Sequence, residues 1–121
     1  MVNKRDKNIL TFILQEIDLA LSFVQGISFD EFIENYEKQH ATAMALLNVG
    51  EYSNKLSKEL VSATEGKIPF RLIVDFRNTV AHDYAGLYFE DMWETVTKRV
   101  PILKEQLTEL LDSAEDTETN P

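Results

Sequence analysis

The sequence has no cysteine and only two histidines, His40 and His82, among its 121 residues. Without cysteine the protein cannot form disulfide bonds or use thiolate chemistry. Two histidines far apart in the sequence argue against a zinc site, which needs several nitrogen or sulfur ligands close together. We therefore expect no zinc site, and we predict that the protein uses no other metal ion and no cofactor.

Long apolar runs are missing as well. No run approaches the roughly 18 residues that a membrane-spanning helix needs, and the chain does not open with the charged and apolar segments of a secretory signal. Charged residues make up 27% of the chain and hydrophobic residues 44%, as in ordinary globular domains. These features predict a cytoplasmic domain with a single core and no contact with a membrane.

Basic residues are scarce, which leaves a net charge of −9 and at first argues against binding to nucleic acid. The last ten residues carry four acidic side chains and no basic one, so nearly half of the excess lies there. We predict a single domain over residues 1–111 and a disordered acidic tail over residues 112–121. Any contact with RNA must then come from a local group of basic residues, several of which lie within residues 67–104, or be assisted by a partner.

Five segments show apolar residues at helical spacing, and none favours a β-strand. These segments are about Lys4–Gln25, a short stretch from Ser28, about Glu37–Leu60, about Pro69–His82 and about Phe89–Leu111. Ser28 and Glu31 form the pattern of a capping box, and Pro69 suits the first turn of a helix. Pro101, inside the fifth segment, predicts a kink or a break near Arg99. The predicted fold class is all-α, an antiparallel bundle of about five helices.

The segment from Arg77 to Tyr84 carries most of the chemistry in the chain. It reads Arg-Asn-Thr-Val-Ala-His-Asp-Tyr, the pattern R-N-x-x-A-H-x-Y. The Arg guanidinium can bind a phosphate through two parallel hydrogen bonds, and the His side chain can move protons near neutral pH. The Tyr hydroxyl can donate or accept a hydrogen bond, or be modified. Together these groups are suited to handling a phosphodiester without a metal ion.

Arg77 and His82 lie five residues apart, at or near the end of the fourth predicted helix. Five residues on an α-helix place two side chains about 140° apart and about 7.5 Å along the axis. This geometry is awkward for a buried structural pair, whereas it suits a cleft that two protomers line together. We therefore expect a homodimer.

Several short segments around this motif carry a family resemblance. They are Ile68-Pro69-Phe70, Phe89-x-x-x-Trp93, Val100-Pro101-x-Leu103, Asn48-Val49-Gly50-Glu51 and Leu56-Ser57-x-Glu59. With the R-N-x-x-A-H-x-Y pattern, they resemble the HepT-like branch of the HEPN superfamily, over about Asn8 to Leu111. The sequence departs from that branch at Phe70, where a Trp is common, and at Val49, where an Ile is common. Both departures concern packing and leave the polar motif intact.

This resemblance implies a metal-independent endoribonuclease that is the toxin of a prokaryotic toxin–antitoxin pair. Such a toxin cleaves RNA, either mRNA or tRNA, as a homodimer with the motif at the subunit interface. The implied partner is a minimal nucleotidyltransferase antitoxin, which neutralises the toxin by transferring AMP to Tyr84. DNA lacks the attacking 2′-hydroxyl and should not be cleaved.

The resemblance also implies roles for individual residues. Arg77 would hold the scissile phosphate and stabilise the charge that builds on its oxygens. His82 would act as the acid or base at the 2′-hydroxyl or the leaving oxygen. Asn78 would position the backbone or the phosphate, and Glu51 and Asp83 would be supporting residues.

Plainer interpretations of the same residues stay open. Arg77 could pair with Asp75 or Asp83 at a helix end. His82 could cap that helix, and Tyr84 could lie at the edge of the core. The alternative function is a non-catalytic, nucleotide-binding accessory subunit of a two-component nucleotidyltransferase. The net charge of −9 favours that alternative slightly, whereas the intact pair of Arg77 and His82 favours the ribonuclease.

Overall fold

The computed structural model describes residues 2–75 and 89–119, and for residues 114–119 it describes the backbone alone. The regular structure in these ranges is helical and includes no strand, which confirms the predicted all-α fold class. The helices are α1 (Lys4–Val24), α2 (Phe29–Glu34), α3 (Tyr36–Ser53), α4 (Lys58–Ala63), α5 (described over residues 70–75), α6 (Phe89–Glu94) and α7 (Val100–Thr119). A π-helical turn, Thr95–Arg99, joins α6 to α7. None of the described helices is long and apolar enough to cross a membrane.

Helices α1 and α3 form an antiparallel pair. In the first half of α1, the ring of Phe12 lies 5.7 Å from the ring of Tyr52, which belongs to the end of α3. Near the end of α1, the carbonyl of Phe23 accepts a hydrogen bond from Lys38 Nζ at 3.1 Å, at the start of α3. The apolar stripe of α1, spaced three or four residues apart, is fully buried at Leu10, Ile13, Ile17 and Ala20. This stripe forms a central part of the core.

The capping box predicted at the start of α2 is present. The Ser28 hydroxyl accepts a hydrogen bond from the N–H of Glu31 at 3.2 Å, and the Glu31 carboxylate accepts one from the N–H of Ser28 at 3.1 Å. The other end of α2 is held by α3, because the buried Gln39 Nε2 donates to the carbonyls of Phe32 and Ile33 at 2.9 and 2.8 Å. These bonds stabilise a helix that is too short to be stable alone.

The prediction of one helix from about Glu37 to Leu60 is wrong. α3 ends at Ser53, and α4 begins after Ser57, whose hydroxyl accepts a hydrogen bond from the N–H of Leu60 at 3.2 Å. The buried carboxylate of Asp6, in the first turn of α1, accepts hydrogen bonds from the N–H and the hydroxyl of Ser57 at 2.9 and 2.5 Å. This tertiary contact stabilises the break, and local periodicity cannot reveal it.

Pro101 disturbs the fifth predicted segment at the expected place without ending it. A proline inside an α-helix lacks an N–H, and its ring clashes with the carbonyl four residues earlier. Here the backbone forms the π-helical turn Thr95–Arg99, and the N–H of Val100 bonds to the carbonyl of Thr95. The chain therefore stays helical from α6 into α7, with an irregular turn where the sequence predicts a kink or a break.

Helix α7 extends further than the sequence pattern predicts. Its backbone is helical to Thr119, whereas the fifth segment was expected to end near Leu111. α7 packs along α1, and Lys104 Nζ lies 2.8 Å from the carboxylate of Asp18. The division of the chain into a domain over residues 1–111 and a disordered tail stays a prediction.

Candidate functional site

The five motif residues with predicted roles lie outside the described residues: Arg77, Asn78, His82, Asp83 and Tyr84. Helix α5 leads into this segment, and α6 follows it. What the structure contributes to the site is therefore the packing at the two ends of the segment and the surfaces beside them.

The approach to the motif begins in a well-packed turn before α5. The carbonyl of Thr64 accepts a hydrogen bond from the N–H of Ile68 at 3.0 Å, and Gly66 has φ of 91°, a left-handed conformation that favours glycine. Pro69 lies at the start of α5, directly before its first described residue, and its carbonyl accepts a hydrogen bond from the N–H four residues later at 3.1 Å. The side chains of Ile68 and Phe70, on either side of it, are buried. These contacts hold the start of α5, the helix that leads into the motif segment, against the rest of the fold.

Aromatic side chains hold the other end of the motif segment. Phe89, the first residue of α6, meets Phe32 of α2 edge to face, with ring centroids 6.4 Å apart. Trp93, one turn later, lies 5.2 Å from Phe32 and 6.0 Å from Phe29 between ring centroids. Aromatic pairs in these geometries are favourable beyond the area that they bury. The chain that leaves the motif is therefore anchored to α2.

Glu51, the one predicted site residue among those described, lies near the C-terminal end of α3 with an exposed side chain. Its expected role is to orient Arg77 or His82. Since both of those residues lie outside the described ranges, this role stays a prediction.

His40 is the other histidine of the chain and lies on the exposed face of α3. Its Nδ1 is 2.6 Å from the carbonyl of Tyr36, one turn earlier in the same helix. This contact is local to α3. In the described ranges, no three His, Asp or Glu side chains lie close enough together to hold a metal ion.

A cleft lined by both polar and apolar side chains lies beside the start of the motif segment, between α4 and α5; we call it the α4–α5 cleft. Its volume is about 610 Å³. The polar side chains that line it are Asn54, Lys58, Ser62, Arg71 and Asp75, together with the buried Ser53. The cleft therefore combines two cations, one carboxylate and the neutral polar side chains of Asn54 and Ser62 with apolar side chains. The hydroxyl of Ser53 donates to the carbonyl of Val49 at 2.7 Å.

An apolar groove lies against the opposite face of α5; we call it the α5–α7 groove. It has a volume of about 490 Å³ and is lined mainly by Leu, Ile and Val side chains of α3, α5 and α7. Leu72 and Ile102, which both line it, are 68% and 58% exposed. Exposed apolar side chains that adjoin a groove are typical of interaction surfaces.

The basic residues within 67–104 that the structure describes do not form one patch. Lys67 and Arg99 line the groove, Arg71 lines the cleft, and Lys104 pairs with an acid on α1. Lys58, which the sequence analysis did not single out, lines the cleft with Arg71. No sequence signal pointed to it, because its position depends on the break between α3 and α4 that the helical pattern conceals.

Comparisons with known proteins point to one family. A family model described as ribonuclease HepT-like matches residues 13–110. A "Putative RNase" of Caldanaerobacter subterraneus subsp. tengcongensis is 32% identical over 108 residues, which cover 89% of this chain and 96% of that protein. A "Probable ribonuclease HepT" of Thermococcus cleftensis is 28% identical over 109 residues, which cover 90% of this chain and 98% of that protein.

Solved structures add nothing to this comparison, because none matches the chain significantly. The family match nevertheless covers most of the chain, and it contains the whole segment from Arg77 to Tyr84. The chain therefore belongs to the ribonuclease HepT-like family.

Proposed function

We propose that the protein is a metal-independent endoribonuclease that acts in the cytoplasm as the toxin of a prokaryotic toxin–antitoxin pair. The observation that carries the proposal is the R-N-x-x-A-H-x-Y pattern, which lies within the residues matched by the ribonuclease HepT-like family. The names of the two relatives, which refer to RNases, support the same activity. The substrate is RNA, either mRNA or tRNA.

In this proposal the RNA supplies its own nucleophile. The 2′-hydroxyl attacks the adjacent phosphorus, the bond to the 5′-oxygen of the next nucleotide breaks, and the products are a 2′,3′-cyclic phosphate and a 5′-hydroxyl. His82 accepts the proton of the 2′-hydroxyl or donates one to the leaving oxygen. Arg77 binds the phosphate and stabilises the charge that builds on its oxygens. Asn78 positions the phosphate, and Glu51 and Asp83 support the pair.

The proposed enzyme is a homodimer, and we propose that two copies meet at the α5–α7 groove. The exposed side chains of Leu72 and Ile102 favour an apolar partner at this surface. α5 lines the groove and leads into the motif in the sequence, so the proposed interface adjoins the start of that segment along the chain. The proposed interface fits the expectation of a cleft that two protomers line together.

Regulation in this proposal acts on Tyr84, two residues after His82. A minimal nucleotidyltransferase antitoxin transfers AMP to the Tyr84 hydroxyl, which adds a negatively charged phosphate and a nucleoside beside the catalytic pair. The added group competes with the RNA phosphate for Arg77. The alternative function, a non-catalytic accessory subunit that binds a nucleotide, is favoured by one observation, the net charge of −9.

The first experiment measures RNA cleavage by the purified protein in excess EDTA. We expect the wild type to cleave mRNA and tRNA and to leave DNA of the same sequence intact. His82→Ala should lower the rate by about 10²–10⁴-fold, the usual contribution of general acid–base catalysis. His40→Ala is the matched control, since His40 lies on an exposed helix face, and it should cleave at the wild-type rate.

Equal rates in the wild type and His82→Ala would contradict the assigned centre. Absence of cleavage in a wild type that mass spectrometry shows to be free of AMP would favour the accessory-subunit alternative. Cleavage that EDTA abolishes would exclude the metal-independent mechanism.

A further inference from the structure

We propose that the α4–α5 cleft binds the phosphate backbone of the RNA strand next to the bond that is cleaved. The inference rests on the proposed ribonuclease function and adds a binding surface to it. Asp75 lines the cleft, and Arg77 follows two residues later in the sequence. Because consecutive Cα atoms are about 3.8 Å apart, the chain keeps the Cα atoms of these two residues within about 7.6 Å of each other. The cleft therefore adjoins the start of the motif segment along the chain.

Two cations of the cleft are available to phosphate groups. Lys58 is the first residue of α4, and its side chain is exposed. Arg71 Nη2 lies 3.8 Å from a carboxylate oxygen of Glu65, and these two side chains are 75% and 61% exposed. An exposed ion pair of this kind is weak and is screened by salt. A phosphate can therefore replace the carboxylate and accept two hydrogen bonds from the guanidinium.

Neutral groups of the cleft fit the same ligand. The Asn54 amide and the Ser62 hydroxyl line it and can donate hydrogen bonds to phosphate or ribose oxygens. Its volume of about 610 Å³ lies within the range of about 300–1,000 Å³ that small-molecule sites occupy, so a nucleotide unit fits. Asp75 is the one carboxylate among the described lining residues, and the carboxylate of Glu65 lies 3.8 Å from Arg71. Phosphate must therefore displace Glu65 before both cations can bind it.

The polarity of the lining decides the choice of surface, because a chain of net charge −9 cannot attract RNA from a distance. Binding must then come from short-range contacts with phosphates. The α5–α7 groove also carries two cations, Lys67 and Arg99, but most of its lining is apolar. Apolar side chains cannot replace the hydrogen bonds that water makes to a phosphate backbone. The α4–α5 cleft, whose lining is less apolar than that of the groove, is therefore the better match for RNA.

The test measures RNA binding by the full chain carrying His82→Ala, which prevents cleavage during the measurement. The cleft variant adds Lys58→Met and Arg71→Met, and the control variant adds Lys4→Met and Lys98→Met. Lys4, like Lys58, is the first residue of a helix, and Lys98, like Arg71, belongs to an exposed ion pair. Each variant loses two positive charges, so the net charge of the two is the same.

We expect the cleft variant to bind a labelled single-stranded RNA roughly tenfold more weakly than the parent at low salt. The slope of log Kd against log salt concentration should fall by about 1.4, since each phosphate contact of a single strand contributes about 0.7. The control variant should keep the slope of the parent. Circular dichroism on heating checks that both variants fold. If the double change unfolds the protein, Lys58→Met alone should lower the slope by about 0.7.

RNA cleavage is then measured for the cleft and control substitutions in a protein that keeps His82. This second assay separates the inference from the proposed function. Binding that weakens in the cleft variant alone, with a raised KM for cleavage, supports the inference. Wild-type cleavage together with identical binding by the cleft and control variants overturns the inference and leaves the ribonuclease proposal intact. RNA binding that depends on the cleft without any cleavage supports the cleft and overturns the catalytic proposal. A wild type that neither binds nor cleaves RNA overturns both.

Discussion

At the scale of single residues, the contact between Asp6 and Ser57 links the start of α1 to the start of α4. The Asp6 side chain is fully buried and accepts hydrogen bonds from the Ser57 N–H and hydroxyl at 2.9 and 2.5 Å. Asp6→Ala would leave the Ser57 N–H without this partner. We expect a loss of about 2–4 kcal/mol in the free energy of unfolding, measured by urea denaturation.

Asp18→Ala is the control for this prediction, because it makes the same change on the same helix at an exposed ion pair. Asp18 lies 2.8 Å from Lys104 Nζ, but both side chains are about half exposed. Exposed pairs contribute less than about 1 kcal/mol. Equal losses in the two variants would show that the buried contact has no special role.

Single residues also differ in how far the sequence alone identifies them as part of the site. Arg77, His82 and Tyr84 are recognisable because they lie within eight residues and their chemistry depends on side-chain type. Lys58 and Arg71 are separated by thirteen positions, and they line one cleft only because α4 forms a helix of its own. Their relation depends on tertiary structure, so it was absent from the sequence prediction.

At the scale of helices, Pro101 and the π-helical turn Thr95–Arg99 suggest a direct test. Pro101→Ala restores a backbone N–H and removes the ring that disfavours regular α-helix. The same substitution raises the conformational entropy of the unfolded chain, which offsets part of this stabilisation. We expect the free energy of unfolding to rise by about 1–2 kcal/mol, measured by urea denaturation, with a more regular helix from α6 into α7.

Pro69→Ala provides the comparison, since Pro69 lies at a helix start where a missing N–H costs nothing. At Pro69 the higher conformational entropy of the unfolded chain dominates. The free energy of unfolding should therefore fall by about 0.5–1 kcal/mol. If both substitutions changed stability in the same direction, the π-helical turn would not be a response to Pro101.

Helix boundaries were predictable where a local signal marks them. The capping box at Ser28 and Glu31 identified the start of α2, and Pro69 identified the start of α5. The end of α3 was missed because apolar residues continue at helical spacing across it, to Leu56 and Leu60. The break depends on Asp6, 51 residues away from Ser57. A long-range contact of this kind outweighs the local pattern.

At the scale of the whole molecule, the α5–α7 groove predicts how two copies associate. Ile102 is 58% exposed on α7 and lines this groove. In a dimer formed there, Ile102→Asp would bury an unpaired carboxylate, a cost of about 3 kcal/mol or more. We expect the dimer dissociation constant, measured by sedimentation velocity, to rise by at least about 100-fold. RNA cleavage should fall in parallel, because the proposed catalytic cleft needs two protomers.

Leu19→Asp separates this effect from a general loss of apolar surface. Leu19 is 48% exposed on α1 and is not among the described residues of the groove, so its substitution should leave both the dimer and RNA cleavage unchanged. Dissociation caused equally by both changes would move the interface away from the groove. If the Ile102→Asp variant still forms a dimer and cleaves RNA at the wild-type rate, the interface must also lie away from the groove. A wild type that cleaves RNA as a monomer would remove the need for two protomers, and one chain would then have to bring Arg77 and His82 together.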